Sequence, residues 1–113
     1  MTNSRQKGAA GEREFAKLAK SHGFDAYRSQ QFKGHKEKGD PDVVIKGLHP
    51  EIKRREKLDL DTWLAQAKSE AKDGAIPIVA HRKNNEKWKV TMSADDFFKL
   101  YREYFESHEL GGD

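Results

Sequence analysis

The stretch GDPDVVIKGLHPEIKRRE, residues 39–56, decides the fold of this chain. Its β-branched run at 43–45 ends at Gly47, and Pro50 can open a following strand without breaking a ladder of hydrogen bonds. These signals predict a hairpin of two strands that spans about residues 41–56.

The second strand of this hairpin is rich in charge, and Ile52 is its one apolar side chain between Pro50 and Glu56. Successive side chains alternate across a strand, so Glu51 and Lys53 share one face and Ile52 lies on the other. An acid and a base at fixed spacing on one face indicate a candidate catalytic site. The alternative is an edge strand whose charged face is simply solvated.

Asp42 stands at the mouth of the first strand, where antiparallel pairing would bring it beside Glu51. Two close carboxylates repel each other unless they share a proton or a cation. Oxygen ligands favour Mg²⁺ or Mn²⁺. Lys53 beside such an ion could orient or deprotonate a water or offset charge on a phosphate. The alternative is that Asp40 and Asp42 only form a turn around a proline.

Apolar spacing and capping residues predict three helices around the strands. The first covers residues 8–22, with Gly23 as a left-handed cap and Phe24 packed back on the last turn. The third is capped by Ser93. The stripe of the second helix is Leu60, Leu64, Ala67 and Ala71. The stripe of the third is Phe97, Leu100, Tyr101, Tyr104 and, one turn on, His108.

Two further strands follow the second helix. The apolar run 76–80 is typical of a strand buried on both faces, and Trp88, Val90 and Met92 alternate with polar residues. Together the elements predict a single α/β domain over residues 1–113, with a mixed central sheet flanked by helices in the order αβββαββα.

Composition narrows the class of protein. The chain has 113 residues, 22 Lys+Arg against 19 Asp+Glu, and 36% charged residues, where about a quarter is usual. We therefore expect a small core and a heavily ionised surface. No apolar run approaches the roughly 18 residues that cross a bilayer, so a soluble intracellular protein is expected.

Metal chemistry is limited by the residues present. The absence of cysteine excludes disulfides, thiolate zinc sites and a cysteine nucleophile. The 5 histidines have no paired spacing, so no histidine metal site is predicted.

The motif PD at 41–42, a gap of eight residues and EIK at 51–53 resemble the PD-(D/E)XK signature of metal-dependent nucleases. KGAAGEREF at 7–15, HGF at 22–24 and YRS at 27–29 resemble the N-terminal helix and first strand of archaeal-type (Hjc-like) Holliday junction resolvases and their phage relatives. The resemblance in element order covers most of the chain, and the likeness in motif is confined to its first half.

This resemblance implies a restriction-endonuclease-like fold and a metal-dependent, structure-selective DNA endonuclease. Such an enzyme would resolve four-way junctions by paired nicks, as a homodimer that uses Mg²⁺ or Mn²⁺, in the cytoplasm of a prokaryotic or phage-infected cell. Asp42 and Glu51 match the principal metal ligands, and Glu12 matches the helix carboxylate that completes the site. The backbone carbonyl of Ile52 is a further implied ligand, and Lys53 matches the catalytic lysine.

Further residues are predicted to contact DNA. Arg28 and Ser29 match a basic strand and loop start that lie against DNA in this family, and Gln66 resembles a glutamine of related phage and recombination nucleases. The other candidates are basic residues near strand ends and loops, namely Lys7, Arg13, Lys33, Lys36, Lys38, Arg55 and Arg82.

Alternatives to junction resolution stay open at this point. They are a general branched-DNA, flap or nicking nuclease of the same fold, and a DNA-binding module without catalysis. The loop at 30–40 looks longer and more basic than in the archaeal enzymes, and Asp40 offers a competing carboxylate. Glu12 has the alternative role of a first-turn residue favoured by the helix dipole. Phe98 and Phe105 lie off the main stripe of the last helix, where they could either face a partner or widen the packing face.

Overall fold

The computed structural model describes residues 4–29 and 37–110. Within these ranges the chain forms a mixed α/β structure, as the sequence predicts. The elements are α1 (Ser4–Ser21), β1 (Tyr27–Arg28), β2 (Val43–Val44), β3 (Leu48–Arg54), α2 (Leu60–Glu70), β4 (Ile76–Arg82), β5 (Lys89–Thr91), α3 (Ala94–Phe105) and a π-helical turn (Glu106–Leu110). No helix in these two ranges is long and apolar enough to cross a membrane.

The strands form two sheets, β1-β2 and β3-β4-β5. β3 and β4 are parallel along their whole length, whereas β5 is antiparallel to β4. A mixed sheet is therefore present, but the single central sheet that the sequence predicts is divided. The division arises because β2 has only two residues and reaches β3 through one isolated bridge, Ile45 to Leu48.

The predicted hairpin is present in part, as a tight turn between β2 and β3 with one isolated bridge. Its turn closes where the amide of Leu48 donates to the carbonyl of Ile45 at 3.0 Å. Gly47 has φ +86° in this turn, a left-handed conformation that a residue with a Cβ would adopt only with strain. The turn thus aligns the two strands that carry the charged residues.

Helix α1 packs on the face of β3 that carries Ile52. Phe15 is buried against Ile52 and meets Trp88 edge to face, with ring centroids 5.5 Å apart. Gly11 allows the close approach, because a Cβ there would lie 3.2 Å from the Cβ of Arg54. The core on this face also contains Ala16, Ala26, Val43 and Ala80.

Helix α2 covers the opposite face of β3, where Glu51 and Lys53 lie. It buries Trp63 and Ala67 and ends at Glu70. The predicted stripe was therefore incomplete, because it omitted Trp63, whose ring lies 5.7 Å from the Lys53 ammonium. Trp63 lies three residues after Leu60 and four before Ala67, so helical spacing could have included it in the stripe.

Several predicted details at the ends of elements need correction. α1 begins at Ser4 rather than at residue 8. Gly23 forms the expected left-handed cap, with φ +91°, but Phe24 is 62% exposed and does not pack on the last turn. Val90 is 52% exposed because β5 is a short edge strand.

The apolar stripe of α3 is not buried either. Ser93 caps the helix as predicted, by accepting a hydrogen bond from the amide of Asp96. However, none of the residues in α3 is buried. Helical spacing predicted the stripe correctly, but it could not indicate that residues 4–29 and 37–110 leave the stripe uncovered.

Candidate active site

The hairpin places Asp42 opposite Glu51. The amide of Asp42 donates to the carbonyl of Pro50 at 3.2 Å, and the amide of Ile52 donates to Asp42 Oδ2 at 2.8 Å. These two hydrogen bonds join Asp42 to the residues on either side of Glu51. Both acids are buried, with 6% of Asp42 and 3% of Glu51 exposed. The sequence therefore brings two carboxylates into a desolvated part of the hairpin.

Lys53 completes this group from the same face of β3. Its Nζ lies 3.8 Å from Glu51 Oε2 and above the ring of Trp63. The lysine side chain is only 16% exposed. A buried carboxylate is stabilised by a nearby cation, and Trp63 restricts where the ammonium can go. A positive donor is thus held beside the acidic pair.

Sequence reasoning missed a further group on this face. His49, Glu51 and Glu70 each offer a ligand atom, and these atoms lie within 4.8 Å of one another. The Nε2 atom of His49 is 3.7 Å from Glu70 Oε1. The alternation of His49, Glu51 and Lys53 along β3 could have indicated that they share a face. Glu70 comes from α2, and no local signal in the sequence links it to β3.

These donors are chemically suited to a divalent cation. Carboxylate oxygens suit Mg²⁺ and Mn²⁺, and an imidazole nitrogen extends the choice to softer ions such as Zn²⁺. His49 was not among the predicted ligands, so the expectation that histidine takes no part in metal binding overlooked this arrangement. Glu51 is common to the predicted ligand set and to this cluster.

Glu12 lies on α1, and its carboxylate accepts a hydrogen bond from Arg28 Nε at 2.9 Å. Arg28 pairs with Val43 on β2, next to Asp42. Glu12 therefore points inward, as expected, and the partner of its carboxylate is Arg28. The structure does not gather Glu12 with the cluster of His49, Glu51 and Glu70.

Some predicted DNA contacts are engaged within the protein. Ser29 is buried, and its hydroxyl donates to the carbonyl of Pro41. Arg82 binds Glu14, with 2.7 Å between Nη2 and Oε1.

Asp40 was considered above as a carboxylate that could compete with Asp42. Its side chain accepts a hydrogen bond from the amide of Glu37 within its own turn.

Other predicted contacts lie at the surface. Lys7 lines a groove with Ala10, Arg54 and Asn84. The exposed candidates are Arg13, Lys38, Arg55 and Gln66. Lys33 and Lys36 lie outside the described residues.

His81 on β4 is buried and lies with its Nε2 2.9 Å from the Thr91 hydroxyl. Burial, with a smaller contribution from the charge of Lys89, lowers the pKa of His81 below its usual value. A buried imidazole that resists protonation is suited to packing within the sheet rather than to binding phosphate.

An aspartate at the mouth of one strand, opposite a Glu-x-Lys motif on the next, is the arrangement that defines the PD-(D/E)XK class of nucleases. Residues 3–110 match the family described as "Phage putative PDDEXK endonuclease", and the chain belongs to this family. No curated protein matches the chain.

Membership confirms the predicted superfamily, the phage relationship and the nuclease class. PD-(D/E)XK nucleases generally use divalent metals, and a nuclease family implies DNA as the substrate.

Proposed function

We propose that this protein is an endodeoxyribonuclease that hydrolyses phosphodiester bonds in branched DNA and resolves four-way junctions by paired nicks. The observation that carries the proposal is the buried pair Asp42 and Glu51 on one hairpin, with Lys53 Nζ 3.8 Å from Glu51. Membership of the phage endonuclease family supports the nuclease activity in this proposal.

Asp42 and Glu51 would hold a divalent ion, with the Ile52 carbonyl and Glu12 as further oxygen ligands. This oxygen-rich set fits Mg²⁺, with Mn²⁺ as a substitute. A bound ion would lower the pKa of a water and offset the charge on the phosphate. To bind the ion, Glu12 would have to give up the hydrogen bond that its carboxylate accepts from Arg28.

The chain's own residues prepare the site for hydrolysis. The bond from the Ile52 amide fixes the direction of the Asp42 carboxylate. Lys53, confined by Trp63 and Glu51, donates to the attacking water or to a phosphate oxygen. The water oxygen forms a bond to phosphorus as one ester P–O bond breaks, the water loses a proton to solvent, and the departing sugar oxygen takes up a proton and leaves as a hydroxyl. Because these groups are fixed before the substrate arrives, little reorganisation is needed during the reaction.

Basic residues at the surface would position DNA of any sequence. Lys7 lines a surface groove, and Arg13, Lys38 and Arg55 are exposed, so these side chains are available to contact phosphates. Contacts of this kind make binding strongly dependent on salt concentration and carry no base preference.

Junction resolution also requires a second active site. Two symmetric nicks in a four-way junction need two copies related by a two-fold axis. We therefore propose a homodimer as the active form.

Cleavage of synthetic substrates tests this function. Four-way junctions, flaps and linear duplexes carrying end labels are incubated with Mg²⁺ or with EDTA. We expect Mg²⁺-dependent paired nicks confined to the junction, and no cleavage by Glu51→Gln. Equal rates on all substrates would instead establish a general nuclease of the same fold. Tight binding without cleavage would favour a non-catalytic DNA-binding module.

A further inference from the structure

The C-terminal helix α3 exposes a continuous apolar stripe. Its six large members are between 42% and 61% exposed, and none of the residues in α3 is buried. The rings touch along the helix, and Tyr101 contacts its neighbours in both directions. The stripe comprises Phe97, Phe98, Leu100, Tyr101, Tyr104 and Phe105.

The exposed area is large for a protein of this size. A large aromatic side chain offers about 200 Å² and a leucine somewhat less, so five aromatic side chains and Leu100, each about half exposed, leave about 600 Å² of apolar surface. Monomeric proteins rarely expose a contiguous apolar patch of more than a few hundred Å². Two copies that each cover the stripe of the other would bury about 1,200 Å², which reaches the lower end of the range for stable interfaces.

The charges around the stripe indicate what covers it. From residue 94 to residue 106 the chain carries four acidic and two basic side chains, so DNA phosphates are repelled rather than attracted. Asp95, Arg102, Phe98 and Phe105 line one groove on α3, together with Lys99, Tyr101, Glu103 and Glu106. Asp95 and Arg102 are about two helical turns apart. When two copies of the helix meet in opposite directions, the acidic residue of each copy can lie beside the basic residue of the other.

We propose that α3 packs antiparallel against α3 of a second copy of this chain, about a two-fold axis near Phe98. Asp95 of each copy then lies beside Arg102 of the other. Phe97, Phe98 and Leu100 of the two copies cover one another, and Tyr104 and Phe105 of each copy lie against the start of the other helix. One surface serves both copies, as in other isologous dimers. The proposal concerns which surface forms the dimer and does not depend on nuclease activity.

Sedimentation equilibrium of the full chain tests the surface. We expect the wild-type chain to be dimeric, and Phe98→Ser to raise the dimer Kd by about 100-fold or more, because a central aromatic is lost from both copies. Phe24→Ser is the matched control, since Phe24 is 62% exposed but lies outside α3. It should leave the Kd unchanged. Circular dichroism checks that both variants remain folded.

A charge exchange tests the antiparallel arrangement. Asp95→Arg and Arg102→Asp should each weaken the dimer, and the double variant should restore it. A wild-type chain that stays monomeric, or a dimer weakened equally by Phe24→Ser, would overturn the proposal. Failure of the double variant to restore binding would overturn the antiparallel pairing. A stable α3 dimer without nuclease activity would contradict the proposed function and leave this interface standing.

Discussion

Replacing Asp42 with asparagine separates the two roles of this carboxylate. In the folded chain Asp42 Oδ2 accepts the buried amide of Ile52 at 2.8 Å. In the proposed function the same side chain also helps to hold a divalent ion. Asparagine keeps an oxygen that can accept the amide, but it loses the negative charge.

The expected cost in stability is small. A hydrogen bond to a charged acceptor contributes about 1.5–3 kcal/mol and one to a neutral acceptor about 0.5–1.5 kcal/mol, so the change lowers the free energy of unfolding by about 1 kcal/mol. Removing one of two close carboxylates offsets part of this loss. For a chain of this size Tm should fall by about 5 °C or less.

The expected cost in activity is much larger. A metal ion supplies several kcal/mol of stabilisation to the transition state. Its loss should slow cleavage by at least about 100-fold. Thermal unfolding followed by circular dichroism and cleavage of a labelled junction measure the two effects on one preparation.

Asp40→Asn is the matched control, because Asp40 accepts an amide within its own turn. It should cleave at the wild-type rate. A folded Asp42→Asn variant that cleaves within tenfold of the wild-type rate would refute the role assigned to Asp42. A variant that does not fold would refute the stability argument.

Three further perturbations test other parts of the account. Lys53→Met should lower the cleavage rate by about 100-fold or more while salt-dependent DNA binding persists; equal losses of both in rate and filter-binding assays would contradict a catalytic role. Glu14→Gln should lower the free energy of unfolding in urea by about 1–2 kcal/mol, because Glu14 bridges Arg54 and Arg82 but is about one-third exposed. An unchanged urea midpoint would show that this bridge contributes little. Because burial lowers the pKa of His81 in the folded state, the unfolded chain binds that proton more readily, and stability should fall as pH drops below about 6.5. His81→Gln should reduce this loss, and an identical pH profile for both proteins would exclude His81 as its source.

The hairpin and its charged face could be predicted because their signals are local. A β-branched run, a turn glycine and the alternation of side chains are all read within residues 39–56. The same alternation correctly separated Ile52 from Glu51 and Lys53. The relation between residues close in sequence follows from the periodicity of the backbone and needs no knowledge of tertiary contacts.

Contacts between distant elements could not be predicted in this way. Helical periodicity predicted that Glu12 points inward. It could not predict the partner of Glu12, because Arg28 lies on another element. The approach of Glu70 to His49 depends on how α2 crosses the sheet. The placement of α3 shows the same limit, since an amphipathic pattern indicates a face to be covered and not the surface that covers it.

Metal-dependent cleavage tests the central claim most directly. Wild-type protein and Glu51→Gln are incubated with a labelled four-way junction while Mg²⁺ is raised from zero. The account predicts that wild-type cleavage rises with Mg²⁺ and stops with EDTA, and that Glu51→Gln binds the junction without cutting it. Cleavage by both proteins at equal rates, or cleavage that persists in EDTA, would contradict it.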